Sequence, residues 1–162
     1  MIVRPATSAD VDELVRLRGL MFDAMGRTGD GWREPAARVF TERLKDGTMQ
    51  VFVIDGDDGL AACAVGLVDR RLPGPGTPNG LWGHISGVVT DPAYRRRGYA
   101  RALTIALLDW FQTHEVRRVD LHATPGAEPL YRDLGFFEKP DRALTWLAAD
   151  QRRRPGMTSS PR

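Results

Sequence analysis

A single cysteine, Cys63, stands in a chain of 162 residues, so neither an internal disulfide nor a zinc site built on several cysteines is available. Cys63 lies inside the apolar run Leu60–Leu67, which predicts a buried core thiol and not a nucleophile. No apolar run approaches the ~20 residues of a membrane span. The opening MIVRPATSADVDEL lacks the apolar core of a secretory signal. These absences predict a reduced, cytoplasmic, soluble protein with no membrane partner. Charge of one sign is also missing, since 23 Lys and Arg against 21 Asp and Glu leave +2. Non-specific attraction to nucleic acid is therefore not expected, and no nucleic-acid motif accompanies the basic residues. Two phosphate-binding signatures are absent as well: neither Gly-Lys-Ser/Thr nor GxGxxG occurs. No metal site is expected.

The remaining composition, 42% hydrophobic and 27% charged, is that of an ordinary globular domain with a sizeable core. There are no internal repeats. Ile2–Arg4 reads as a short strand ended by Pro5. Ser8 offers a helix cap, and Val11, Leu14, Val15, Leu17, Met21 and Phe22 predict a helix to about Met25. Gly26–Gly31 is a connector, and a second helix is expected over Glu34–Lys45. Met49–Ile54 and Leu60–Asp69 read as strands around the hairpin turn Asp55-Gly56-Asp57-Asp58-Gly59. A loop rich in Pro and Gly follows, then the strand Leu81–Thr90, where Gly83 and Gly87 suggest a bulge or a close backbone approach. An amphipathic helix carries Leu103, Leu107, Trp110 and Phe111 inward. Arg118–Ala123 reads as a strand, Ala127–Leu134 as a short helix, and Phe136–Glu138 and Ala143–Leu147 as two closing strands.

The predicted order is β-α-α-β-β-β-α-β-α-β-β, an α/β (α+β) mixed sheet with helices on both faces. The strand–helix–strand unit after Leu81 should be a parallel crossover. One domain over residues 1–149 is expected, with a disordered polar tail over 150–162.

The most informative stretch joins the strand ending at Thr90 to the long helix. It runs Asp91-Pro92-Ala93-Tyr94-Arg95-Arg96-Arg97-Gly98-Tyr99-Ala100-Arg101. Pro92 stops the strand, and Gly98 lets backbone approach a ligand without a Cβ in the way. Amides from about Arg96 to Arg101, at a helix N-terminus, form an electropositive seat for a diphosphate, with arginines at hand for charge-assisted hydrogen bonds. The bland alternative is a solvated basic helix start.

Arg95-Arg96-Arg97-Gly98-Tyr99-Ala100 fits the pattern (Gln/Arg)-x-x-Gly-x-(Gly/Ala), and Ala127-x-x-Leu130-Tyr131-x-x-Leu134-Gly135-Phe136 follows downstream. Together with Val88-x-Thr90-x-Pro92, these motifs resemble the GNAT superfamily of acyl-CoA-dependent N-acetyltransferases. The resemblance spans roughly Ile2 to Leu147. It implies a GNAT-like fold in which the fourth and fifth strands splay apart and admit the pantetheine arm of acetyl-CoA. Backbone of Val88, Val89 and Thr90 would line that arm. Arg95, Arg96, Arg97, Gly98, Tyr99, Ala100 and Arg101 would hold the phosphates. Thr124 stands where the family often has an asparagine touching the pantetheine. Tyr131 matches the family's proposed general acid.

The implied activity is transfer of an acetyl group from acetyl-CoA to a primary amine by direct attack in a ternary complex. The acceptor would be an amine-bearing small molecule or a protein amine, and family habit allows a homodimer. The glutamate that many relatives carry on the fourth strand is missing. His84, on that strand, and His122, on the fifth, are each a candidate base or a structural histidine. His114 reads as a surface residue near a helix end. Trp32, beside the first helical connector, is open between acceptor wall and a structural role, and Trp82 between core and interface. The missing glutamate and Thr124 keep a second possibility in view, a CoA-binding sensor or regulatory module without turnover.

Overall fold

The computed structural model describes residues 1–151. Its centre is a five-stranded sheet in the order β1-β2-β3-β4-β5: β1 (Arg4–Pro5), β2 (Met49–Gly56), β3 (Gly59–Arg70), β4 (Leu81–Thr90) and β5 (Val119–Leu121). Neighbours are antiparallel except β4 and β5, which run parallel as expected of a strand–helix–strand crossover. The hairpin between β2 and β3 turns at Asp57-Asp58, with Gly56 paired to Gly59.

Helices α1 (Val11–Ala24) and α2 (Arg33–Asp46) cover one face, and α3 (Tyr99–Thr113) the other. Leu14, Leu17, Phe40, Val51 and Val53 fill the first layer. Leu103, Leu107 and Phe111 of α3 fill the second against Ala62, Ala64 and Ile85. The glycines on the α3 face are steric requirements. A Cβ on Gly66 would lie 2.8 Å from Leu107, and one on Gly83 2.9 Å from Phe111. Small residues in the sheet thus let the large side chains of α3 lie close.

Three expectations need correction. The cap of the first helical segment falls one residue early: Thr7 precedes a 3-10 turn over Ser8–Asp10, and its N–H donates to Asp10 Oδ2 at 2.7 Å. The first strand is Arg4–Pro5, not Ile2–Arg4, because Arg4 and Pro5 are the residues that find partners on β2. The two closing strands, Phe136–Glu138 and Ala143–Leu147, are absent from the described residues, so the β-β end of the predicted order is not present. Pro140 removes an N–H from the link between them, and three-residue β5 gives only a short template for a further strand. Phe137, Leu144 and Trp146 are 79%, 93% and 78% exposed. Asp150 and Gln151, the first residues of the expected tail, belong to a 3-10 turn over Ala149–Gln151, and its remainder, residues 152–162, lies outside the described residues.

Candidate active site

The sheet opens where β4 parts from β5. Gly83, His84 and Ile85 pair with Val119, Asp120 and Leu121, and the ladder stops there. The cause is a bulge in β4. Val65 faces Gly87 while the next residue, Gly66, faces Ile85, leaving Ser86 as the extra residue. Beyond it, β4 stays on β3, with Ala64 opposite Val88, Cys63 opposite Val89 and Ala62 opposite Thr90. Asp91 donates its N–H to Ala61 at 2.9 Å, so strand alternation turns the polar backbone groups of Val88 and Thr90 away from β3, toward the gap. Unpaired strand edges of this kind accept an extended ligand as they would another strand.

One end of the gap is the basic turn. Pro92–Tyr94 forms a 3-10 turn, Arg96 takes φ 66° and Gly98 φ 78°, and α3 begins at Tyr99. The first α3 bond from outside the helix joins the Ala102 N–H to the Gly98 carbonyl at 3.1 Å, which leaves the N–H groups of Tyr99, Ala100 and Arg101 without intrahelical acceptors. Left-handed backbone at Arg96 and Gly98 makes a concave run of amides suited to an anion. The turn is clamped from outside. Tyr94 Oη accepts the Asp57 N–H at 2.7 Å, and the Arg97 guanidinium lies 5.1 Å from the Tyr94 ring. Asp91 accepts from the Ala93 N–H at 3.0 Å and from Arg16 Nη1 at 2.7 Å. Arg16 also donates to Glu13 and to the Leu60 carbonyl. Hydrogen bonds from Arg16 hold both carboxyls, Glu13 and Asp91, below the usual carboxylate range. Arg101 reaches Asp133 at 3.7 Å, so its charge faces α4 (Glu128–Asp133) while its amide stays in the turn.

Two concavities flank β5. The larger, about 1070 Å³, runs along the open edge of β5 beside Phe111 and Phe136 and holds none of the sequence-predicted site residues. The smaller, about 620 Å³, lies between the diverging strands and α1. It gathers Val88, Val89, Thr90, Arg95, His122, Thr124 and Tyr131. Chemistry, not size, identifies it as the candidate site. Tyr131 is 8% exposed and packs edge-on to Phe136 at 5.8 Å. Burial alone raises its pKa, so the phenol holds its proton throughout the neutral range. Thr124 caps the approach to α4, its carbonyl accepting from Ala127 and Glu128.

His122 lines the cleft, and His84 does not; its ring stands edge-on to His122 at 6.0 Å. His114 is exposed at the end of α3, with Nδ1 2.8 Å from the Trp110 carbonyl. Cys63 is buried and its thiol is pushed up to about 12 by burial, as its apolar run predicted. Trp32 packs edge-on against Phe22 at 5.1 Å, and Trp82 is flanked by the Arg71 and Arg118 guanidinium groups at 4.4 and 4.0 Å. Among the described residues no cluster of His, Cys, Asp and Glu is arranged to hold a metal. Among the same described residues no helix is long and apolar enough to cross a membrane.

Sequence reading missed the α1 wall: Arg18, Met21, Phe22 and Arg27 line the cleft opposite the strands. A signal was present. Val11, Leu14, Val15, Met21 and Phe22 make an apolar stripe, and Arg18 falls in its middle, where a leucine would be ordinary.

A mixed sheet split after its fourth strand, with an amide-lined turn at one end of the gap, defines an acyl-CoA-dependent N-acetyltransferase. The model of the acetyltransferase (GNAT) family matches residues 14–136, and the chain belongs to that family. Its co-substrate is acetyl-CoA, and the cleft fits that role with an open strand edge for the arm and free amides for the phosphates. Similar solved structures include a GCN5-related N-acetyltransferase from Ralstonia eutropha, 26% identical with TM-score 0.77 over 90% of this chain and 97% of that one. A predicted acetyltransferase with acetyl-CoA from Clostridium acetobutylicum is 19% identical, with TM-score 0.82 over 89% and 94%. Glucosamine-6-phosphate N-acetyltransferase from Arabidopsis thaliana is 20% identical, with TM-score 0.72 over 91% and 98%. No curated protein matches by sequence.

Proposed function

We propose that the chain moves the acetyl group of acetyl-CoA to a primary amine by direct attack within a ternary complex. The observation that carries this reading is the divergence of β4 and β5 after Ile85 and Leu121, into a cleft that holds the turn residue Arg95 and the Tyr131 side chain together. The pantetheine arm lies against the Val88 and Thr90 backbone, and the pyrophosphate sits on the amides of the turn. The acceptor enters from the α1 side.

An alkyl ammonium must lose a proton before its nitrogen attacks the thioester carbonyl. His122, on the cleft wall, passes that proton to water, with the His84 ring edge-on beside it. The C–N bond forms, the C–S bond breaks, and the sulfur leaves carrying negative charge. A second nitrogen proton compensates that charge, so the products are amide, CoA thiol and one proton released to solvent. Tyr131 donates a hydrogen bond to the leaving sulfur and is not itself the source of the transferred proton. With an ordinary phenol near 10 and a thiol near 8.5, full transfer is uphill by about 2 kcal/mol. Burial widens that gap further. Cys63, enclosed and with a raised pKa, offers no route to an acyl-enzyme.

Initial rates measured against both substrates test the order of events. Intersecting double-reciprocal lines, with no acetylated protein by mass spectrometry, are expected. Parallel lines and an acetylated enzyme would overturn direct transfer.

A further inference from the structure

The cleft is cationic on its acceptor side. Arg18 and Arg27 line it with Phe22 between them, their guanidinium carbons 4.8 and 5.2 Å from the ring centroid. No aspartate or glutamate lines the cleft. Neither arginine takes part in any ion pair among the described residues. Burial lowers the pKa of Arg18, and the charge of Arg27 lowers it further. A partly buried cation beside a like charge, with no carboxylate to offset it, carries a cost that the Phe22 ring offsets only in part and that a ligand's anion would relieve.

The local chain is built to produce this pairing. Arg18 interrupts the apolar stripe of α1. At the helix end Gly26 takes φ 64°, and Arg27 donates its N–H back to the Phe22 carbonyl at 2.9 Å. That six-to-one closure folds Arg27 onto the ring instead of releasing it to solvent.

These arginines stand apart from the phosphate turn. Helix α1 runs antiparallel to β4 on this face. Arg16 near its start reaches Asp91, beside the turn, while Met21 lies at the bulge, its sulfur 3.3 Å from where a Cβ on Gly87 would stand. Four strand residues separate those levels, about 13 Å. Phe22 and Arg27 therefore sit at the bulge end, where the acetyl group meets its acceptor.

Resting on the acetyl-transfer reading, we infer that the acceptor is an anionic amine: a small primary amine that also carries a carboxylate or a phosphate, clamped by Arg18 and Arg27 across Phe22. Guanidinium groups bind both anions in forked geometry. The same two charges repel polyamines and aminoglycosides, whose extra ammonium groups find no carboxylate in this cleft.

Matched amines test this by calorimetry on the protein saturated with CoA, alongside thiol release from acetyl-CoA. The pairs are phenylalanine with phenylalaninamide and O-phosphoethanolamine with ethanolamine, with spermidine as the polycation. At least one anionic member should bind tenfold or more tighter than its uncharged partner and tighter than spermidine, and the stronger pair separates carboxylate from phosphate. Arg27→Gln, at an exposed position, and Arg18→Gln should each remove most of that preference while acetyl-CoA binds within twofold of the parent protein. If Arg18→Gln does not fold, Arg18→Lys, which keeps the charge and loses the fork, serves instead and should weaken the preference. Equal or tighter binding of the uncharged amines or spermidine overturns the inference. So does a variant that weakens acetyl-CoA binding and leaves the preference intact. Anion-selective binding without thiol release keeps the arginine clamp for an anionic amine but removes acetyl transfer, whereas transfer without anion preference keeps acetyl transfer and overturns the clamp.

Discussion

Arg16 on α1 donates to Asp91 at 2.7 Å, directly before the turn that carries the free amides. The same guanidinium holds Glu13 and the Leu60 carbonyl, so one side chain joins the first helix, the β2–β3 hairpin and the mouth of the basic turn. Positioning of the turn therefore depends on a contact between residues 75 positions apart in the chain.

Arg16→Met should loosen that junction. Asp91 and Glu13 would lose their partner, and the pair is partly solvent-exposed, so the expected loss of stability is about 1 kcal/mol. Acetyl-CoA affinity should fall severalfold because the turn is less fixed. Thermal unfolding and calorimetric titration check the two effects separately.

Asp10 gives the fold an acid-sensitive joint. Hydrogen bonds from Arg4, with help from the Thr7 backbone, hold its carboxyl well below the usual aspartate value, at about 2. A depressed folded value means the stabilisation is fully present above the unfolded value near 3.9 and drains away as pH falls from about 5 toward 2. Arg4 remains a third exposed, which discounts the contribution to about 1 kcal/mol. Asp10→Asn should lower stability at pH 7 and flatten the stability profile across that window. Chemical denaturation at several pH values reads both.

Gly98 makes the turn possible. Its φ of 78° is left-handed, and a Cβ there meets nothing within 4 Å. Gly98→Ala therefore acts through backbone conformation, not crowding, at roughly 1 kcal/mol. The amides of Tyr99 and Ala100 follow directly, so acetyl-CoA Kd should rise about tenfold while the melting temperature changes modestly. An unchanged Kd would remove these amides from the binding site.

Tyr131→Phe separates hydrogen-bond stabilisation from packing. The hydroxyl makes no contribution to its own pKa through any protein hydrogen bond, so its removal should leave stability within about 0.5 kcal/mol. Turnover should fall ten- to a hundredfold at unchanged acetyl-CoA affinity. Because burial raises the phenol above its usual value near 10, no alkaline loss of activity from this group is expected below that pH.

The parts of this molecule that local pattern dictates were readable from the chain. Leu81–Thr90 is legible to the residue because Leu81 follows a glycine-rich loop and Thr90 precedes Asp-Pro. Gly83 and Gly87 suggest a bulge or a close backbone approach, and the bulge that splits the sheet lies directly before Gly87. Phe136–Glu138 and Ala143–Leu147 have strand-like composition, yet pairing is a non-local property, and three-residue β5 and Pro140 do not provide for it. Arg18 leaves only a faint trace in the sequence, as an interruption of the apolar stripe of α1; the folded neighbours Phe22 and Arg27, without any carboxylate in the cleft, make it a candidate for binding. The histidines divide likewise, for only tertiary placement puts His122 on the cleft wall with His84 behind it.

A crystal structure with acetyl-CoA bound decides where the co-substrate lies. Pyrophosphate oxygens are expected on the amides of Tyr99 to Arg101, the pantetheine arm along Val88 and Thr90 in the gap beside β5, and the thioester sulfur within hydrogen-bond reach of Tyr131. Acetyl-CoA lying instead in the larger groove along the open edge of β5, beside Phe111 and Phe136, would contradict this placement.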